Sequence, residues 1–222
     1  MLYSVGVSQH FIGLVRRGAT SEIAELVKQD HAIAQSRDAQ GVSALMWAVY
    51  SGQTVVKDFL LSGLETLDIH EAAAVGDTAR LNALLTADPS RANAFSSDGW
   101  TPLHLAAAFG GPEAVALLIS HGADLHAVAK GPMQNQPLHA AVSLSAHPET
   151  IAVLIQHGAD VNAKQMGGFV PLHQAASAGK SALVETLLSA GADASVRCDR
   201  SKTPADYAED KGHTELAARL RG

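Results

Sequence analysis

The run Thr101-Pro102-Leu103-His104-Leu105-Ala106-Ala107 decides the fold, because echoes of it follow at near-constant distance. Gln136-Pro137-Leu138-His139 lies 35 positions on (103 to 138), and Val170-Pro171-Leu172-His173 another 34 (138 to 172). Thr203-Pro204-Ala205 continues the series after 33 more (171 to 204). A second phrase closes each unit: His121-Gly122-Ala123-Asp124, His157-Gly158-Ala159-Asp160 and Ala190-Gly191-Ala192-Asp193. A fixed period of this size marks a repeat array in which one supersecondary unit is iterated.

Working outward, Ile69 to Gly76 matches Leu103 to Gly110, and Leu45 to Gly52 is another copy. Phe11 to Gly18 is the faintest, and the last copy ends at Gly212. The frame predicts seven helical pairs, with phase markers Gly18, Gly52, Gly76, Gly110, Ser145, Gly179 and Gly212. It divides a single domain, 1–222, into an N-terminal cap at 1–37, repeats at 38–67, 68–97, 98–130, 131–165 and 166–198, and a C-terminal cap at 199–222.

Each unit reads as helix, turn, helix and extended loop. Pro102 suits a first helical turn, where no intrahelical donor is lost. Gly110 falls where the short helix needs a left-handed cap. Pro112 opens the second helix, and Val115, Leu117, Leu118 and Ile119 give it an apolar face. Ile151, Val153, Leu154 and Ile155 repeat that face, as do Leu183, Val184, Leu187 and Leu188. One pair cannot bury its own apolar side, so units must stack and the ends must differ. Phe11 to Lys28 forms the predicted N-terminal cap. Thr203 to Arg221, rich in charge at Asp206, Glu209, Asp210, Lys211, Glu215, Arg219 and Arg221, forms the other.

Composition agrees with an array of small helices. Hydrophobic residues make up 47% and aromatics only 5%, so Ala and Leu carry the apolar content. Both favour helix, and Ala lets backbones approach. Lys and Arg total 16 against 22 Asp and Glu, a formal charge of -6 with no basic block. Phosphate backbones need concentrated positive charge, so nucleic acid is not expected. Cys198 is the single cysteine, which excludes an intrachain disulfide and a Cys-rich zinc site. No stretch approaches the roughly 20 apolar residues of a membrane helix. Met1 to Val15 is moderately apolar, but Arg16-Arg17 follow it, the wrong order for a secretory signal. A cytoplasmic monomer without cofactor is the expectation.

The Thr101–Ala107 run and the Gly-Ala-Asp phrases resemble the ankyrin repeat, closely from Asp68 to Gly222 and more weakly from Phe11 to Leu67. Arg37-Asp38-Ala39-Gln40-Gly41-Val42-Ser43-Ala44-Leu45 also resembles an uncharacterised bacterial group of cytosolic ankyrin proteins. The resemblance implies an all-α solenoid of stacked helix-turn-helix units with short β-hairpin fingers. Two departures stand out. Gly52 and Gly76 are only 24 apart, so no finger fits near 62–68. One-residue insertions are expected in Lys130 to Asn135 and at Ala146-His147.

Other motifs do not carry chemistry. His70, His104, His139 and His173 fall at equivalent positions in the repeat frame. Stacked helices lie roughly 8–10 Å apart, whereas Zn–N bonds are about 2 Å, so these rings should bond backbone rather than share a metal. Gly179-Lys180-Ser181 resembles the end of a phosphate loop, but Gln174 stands where that motif needs glycine. No nucleophile, base and orienting group depart from the repeat logic, so no enzyme is expected.

The resemblance implies binding of a protein partner through finger tips and the concave face of the first helices. Carried onto this sequence, the tips include Gln40, Val42, Ser97, Asp98, Trp100, Met133, Asn135, Met166, Phe169, Arg200 and Lys202. The helix positions include Tyr50, Ala74, Val75, Ala108, Phe109, Ser143, Leu144, Ser177, Ala178 and Lys211. Tyr50, Trp100, Phe109, Met133, Leu144 and Phe169 are large and apolar enough to anchor an interface. For Trp100 and Phe169, anchoring a partner and packing between fingers both stay open; Met133 and Leu144 lean towards packing. Ser97, Asp98, Asn135 and Ser177 would add polar specificity. The expected function is an adaptor, scaffold or inhibitor. The alternatives are a small-molecule or peptide sensor in the same groove and, behind it, an enzyme.

Overall fold

The computed structural model describes residues 5–145 and 147–222. Ala146, half of one predicted insertion, and residues 1–4 of the stretch weighed as a leader lie outside the described residues. The described chain forms fourteen helices in seven pairs, as the repeat frame predicts. These are α1 (Val5–Arg17) with α2 (Thr20–Gln29), α3 (Ala44–Tyr50) with α4 (Thr54–Gly63), and α5 (Ile69–Val75) with α6 (Thr78–Ala87). Then follow α7 (Pro102–Leu105) with α8 (Pro112–Ser120), α9 (Pro137–Leu144) with α10 (Pro148–Gln156), α11 (Pro171–Ser177) with α12 (Ser181–Ser189), and α13 (Pro204–Asp210) with α14 (Thr214–Arg221).

The first helices stack in chain order, α1 on α3 and so on to α13. Their inner faces carry alanine: Ala72, Ala73, Ala106, Ala107, Ala140, Ala141, Ala175 and Ala176 are all buried. Small side chains let these backbones close up, and the second helices fill the rest with Leu81, Leu85, Leu118, Leu154 and Leu187. Each such fully buried leucine contributes about 2 kcal/mol. The core is therefore one continuous ribbon from Phe11 to Leu220, and no unit owns a separable core.

Two of the four repeat histidines tie neighbouring units together. The His104 Nδ1 accepts from the Thr101 amide at 3.4 Å, capping the helix start. That fixes the proton on Nε2, which donates to the Asn135 carbonyl at 3.0 Å. His173 does the same between the Val170 amide and the Lys202 carbonyl, and the His139 ring accepts from the Gln136 amide. His70 departs from the expected equivalence. The short preceding loop starts α5 one residue late, at cap residue Asp68, so Glu71 occupies the histidine's place and accepts from the Asp68 amide. His70 reaches the Ala94 carbonyl instead, at 3.0 Å.

Gly110 also needs correcting. Residues Ala106–Gly110 form a π-helical turn, and the left-handed residue is Gly111, with φ of 92°. Gly110 has a different reason for being glycine: a Cβ there would lie 2.0 Å from the Ala73 carbonyl oxygen. Close approach of two first-helix ends, not backbone handedness, demands it.

The fingers are tight turns rather than ribbons. Among the described residues only two isolated bridges occur outside helices, Arg37–Ser43 and Gln165–Phe169. Closing bonds run from Asp38 N to Val42 O, Ser96 N to Trp100 O, Gln165 N to Phe169 O and Cys198 N to Lys202 O. The finger between Ala129 and Asn135 closes from Ala129 N to Asn135 O, so it holds two extra residues rather than the expected one. Tip-to-tip bonds then link Lys130 N to Gly99 O, Met166 N to Met133 O and Asp199 N to Gly167 O.

No finger forms between α4 and α5, as the 24-residue spacing predicts. Side chains close the breach. Arg37, at the base of the first finger, reaches Asp68 at 3.0 Å and buried Glu71 at 3.4 Å. A Cβ on Gly41 would sit 3.4 Å from the Ser97 side chain, so the flanking fingers abut.

Candidate interaction face

Two clusters of side chains gather on the finger side of the first helices. The N-terminal cluster is aromatic. Tyr50 at the end of α3 lies 5.7 Å from Phe109, ring centre to ring centre, and Phe109 stacks on Trp100 at 6.5 Å and 21°. Trp47 stands edge-on to Tyr50 at 6.1 Å, with the Arg16 guanidinium 4.4 Å above its other surface. Carboxylates fix the rings. Tyr50 Oη donates to Asp98 at 2.6 Å, and Trp47 Nε1 donates to Asp38 at 2.8 Å. Burial, then the bond to the Asp98 carboxylate, raises the pKa of the Tyr50 hydroxyl above its ordinary range. The missing finger makes this cluster possible, because Tyr50 and Asp98 belong to non-adjacent units.

The C-terminal cluster surrounds a cavity of about 560 Å³ between the last two fingers and helices α11 and α13. Met133, Met166, Phe169 and Tyr207 supply its apolar wall; Gln165, Gln174, Ser177, Asp199 and Arg200 supply polar atoms. Phe169 is held against Tyr207 at 5.2 Å and His173 at 5.4 Å. Met133 and Met166 are about half exposed, at 53% and 52%.

The structure thus brings Tyr50, Asp98, Trp100 and Phe109 into one patch and Met133, Phe169 and Ser177 into another. Ser97 is exposed at the rim of the first. Leu144 is 51% exposed but lines neither cluster. Lys202 is engaged by Asp210. Asn135 is buried, at 9%, where the enlarged finger folds back, so its side chain is not offered to a partner. Val42, Ala74 and Ala108 are buried as well.

Sequence reasoning passed over Trp47, Gln174 and Tyr207. All three stand at the fourth helical position, the column filled by buried Leu105 and Ala140. A polar-headed residue in an apolar column was a signal present in the repeat frame. Among the described residues no group of three or more His, Cys, Asp or Glu could hold a metal. No described helix is long and apolar enough to cross a membrane.

Comparison with known proteins agrees with this architecture. A family model described as ankyrin repeats in three copies matches residues 69–165, and a second, ankyrin repeats in many copies, matches 154–208. The human protein named NAD-capped RNA hydrolase NUDT12 is 44% identical over 61 residues, 28% of this chain. The mouse protein named ARF GTPase-activating protein GIT2 is 47% identical over 53 residues, 24% of this chain. The chain covers only 13% and 8% of those two proteins, so the likeness reaches repeat units and not their activities. Ankyrin repeats are a generic protein-interaction module and typically non-catalytic. This chain belongs to the ankyrin-repeat proteins.

Proposed function

We propose that this chain is a non-catalytic interaction module, an adaptor, scaffold or inhibitor, that grips a protein partner on the finger tips and the first-helix face. The observation that carries the reading is the convergence of Met133, Phe169 and Ser177, from two neighbouring units, on one open cavity. Thioether and aromatic side chains bury much area and adapt to a partner's shape. The aromatic patch around Tyr50, Trp100 and Phe109 extends that face towards the N-terminus. The module works as a cytoplasmic monomer and needs neither nucleic acid nor membrane. Its units run 1–37, 38–67, 68–97, 98–130, 131–165, 166–198 and 199–222.

An affinity capture from native cytosol, read by mass spectrometry, identifies the partner. Trp100→Ala with Phe169→Ala should then weaken that partner at least tenfold while helical circular dichroism is nearly unchanged. Wild-type affinity in a folded double variant overturns the assignment of the binding face.

A further inference from the structure

Charge is unevenly distributed along the finger row. The last three fingers, at 129–135, 163–169 and 196–202, hold Lys130, Lys164, Arg197, Arg200 and Lys202 against Asp199 alone. They carry +4 on a chain of net charge -6, which leaves -10 for the rest. Tip-to-tip bonds from Met166 N to Met133 O and from Asp199 N to Gly167 O join the three into one edge. Lys202 is engaged by Asp210. Lys130, Lys164, Arg197 and Arg200 are exposed and make no ion pair among the described residues. The first two fingers differ: Arg37 is held by Asp68 and Glu71, and Asp38 and Asp98 are held by Trp47 and Tyr50.

The chain itself shows what a cation in this place receives. Arg37 and Arg197 each precede the residue whose amide closes a finger, and they donate alike to the Gly41 and Ser201 carbonyls. Lys164 holds the same place in the finger before Arg197. Arg37 goes on to meet two carboxylates; Lys164 and Arg197 meet none among the described residues. We propose that the last three fingers dock an acidic segment of a protein partner, its carboxylates received by Lys164, Arg197 and Arg200 and an apolar side chain resting on half-exposed Met133 and Met166. The inference rests on the protein-binding reading above and specifies the partner's charge. The screening length is about 8 Å at physiological salt, so a ligand on this edge responds to the local cations rather than to the net charge. A nucleic-acid duplex is charged along its whole length and would run on over the acidic remainder. A short acidic segment stays on the fingers.

The test pans a phage-displayed library of random dodecamers on the full chain. Enriched peptides should carry several Asp or Glu with a Leu, Met or Phe among them. Lys164→Glu with Arg200→Glu, folded by circular dichroism, should weaken a synthetic copy of such a peptide at least tenfold. Replacing the peptide's carboxylates by lysines should abolish binding to the wild type and restore it on that variant, a coupling that isolates the charge pairs. Arg17→Glu with Lys28→Glu, at exposed positions of the first unit, changes the net charge equally and should leave affinity within about twofold. No enrichment, enriched peptides without net negative charge, or acidic peptides that both double variants bind alike overturn the proposal. An oligothymidine bound more tightly than any peptide, and lost with Lys164→Glu and Arg200→Glu, overturns it in favour of nucleic acid. A captured partner protein that ignores the Lys164 and Arg200 reversal but responds to Trp100→Ala with Phe169→Ala also overturns it, while leaving the protein-binding reading intact.

Discussion

Replacing Arg37 by Met tests how the chain survives the loss of a finger. The substitution keeps most of the stem and removes the guanidinium. Three bonds go with it: to Asp68 at 3.0 Å, to Glu71 at 3.4 Å and to the Gly41 carbonyl at 3.0 Å. The Asp68 pair is solvent-washed, with side chains 47% and 40% exposed, and is worth at most about 1 kcal/mol. Glu71 is 8% exposed, so losing its cation costs more, offset by the Asp68 amide it keeps. With the Gly41 bond, the total is about 2 kcal/mol, or about 4–8 °C in Tm for a chain of this size. The two tryptophans make the location readable, since Trp47 and Trp100 flank the breach. Circular dichroism reports all seven pairs. Urea unfolding of Arg37→Met should therefore show the fluorescence transition moving to lower urea ahead of the dichroism transition, because each unit leans only on its neighbours. Lys211→Met, at an exposed position with no ion pair among the described residues, is the control. If Arg37→Met matches that control and both probes stay coincident, Arg37 does not bridge the gap.

Other expectations follow from single contacts. Gly110→Ala sets a Cβ 2.0 Å from the Ala73 carbonyl oxygen and should cost about 3 kcal/mol, read as a Tm loss by calorimetry. Tyr50→Phe removes the donor to Asp98, which keeps its bond from Ser96, and should cost about 1 kcal/mol in urea unfolding. Burial lowers the pKa of His104, to about 4, and lowers those of His139 and His173. The unfolded chain then binds protons that the folded chain refuses, so stability present above about pH 6.5 declines as pH falls from there towards 4. Each ring adds up to about 1.4 kcal/mol per pH unit to that slope. His104→Gln should make the slope shallower, as measured by urea midpoints between pH 7 and 5.

The period of the repeat was legible because stacking forces it: Leu103, Leu138 and Leu172 are buried in equivalent places, and a burial pattern is written in residue type. The missing finger was legible too, as a spacing of 24. What the spacing could not carry was how the chain repairs it. Nothing in the sequence pairs Arg37 with Asp68 and Glu71; the fold brings residues 31 and 34 positions apart within 3.4 Å. The glycine at 110 was right in kind and wrong in reason, since close approach to Ala73 has no local signature. For the candidate face, size and polarity singled out Trp100, Phe109 and Phe169. Asn135 is buried where its carbonyl closes the widened finger, a placement that its polar side chain does not announce. Gln174 escaped because the sequence was read there only against the phosphate-loop motif.

The central claim is that a partner sits on the Met133–Met166 side of the finger row. The 13C-methyl spectrum of the methionines, recorded with and without a partner captured from cytosol, addresses it directly. Met133 and Met166 are half exposed, while Met46 is buried at 4%. Binding should shift or broaden the first two signals and leave the third in place. Saturating partner with Met133 and Met166 unmoved would contradict the account.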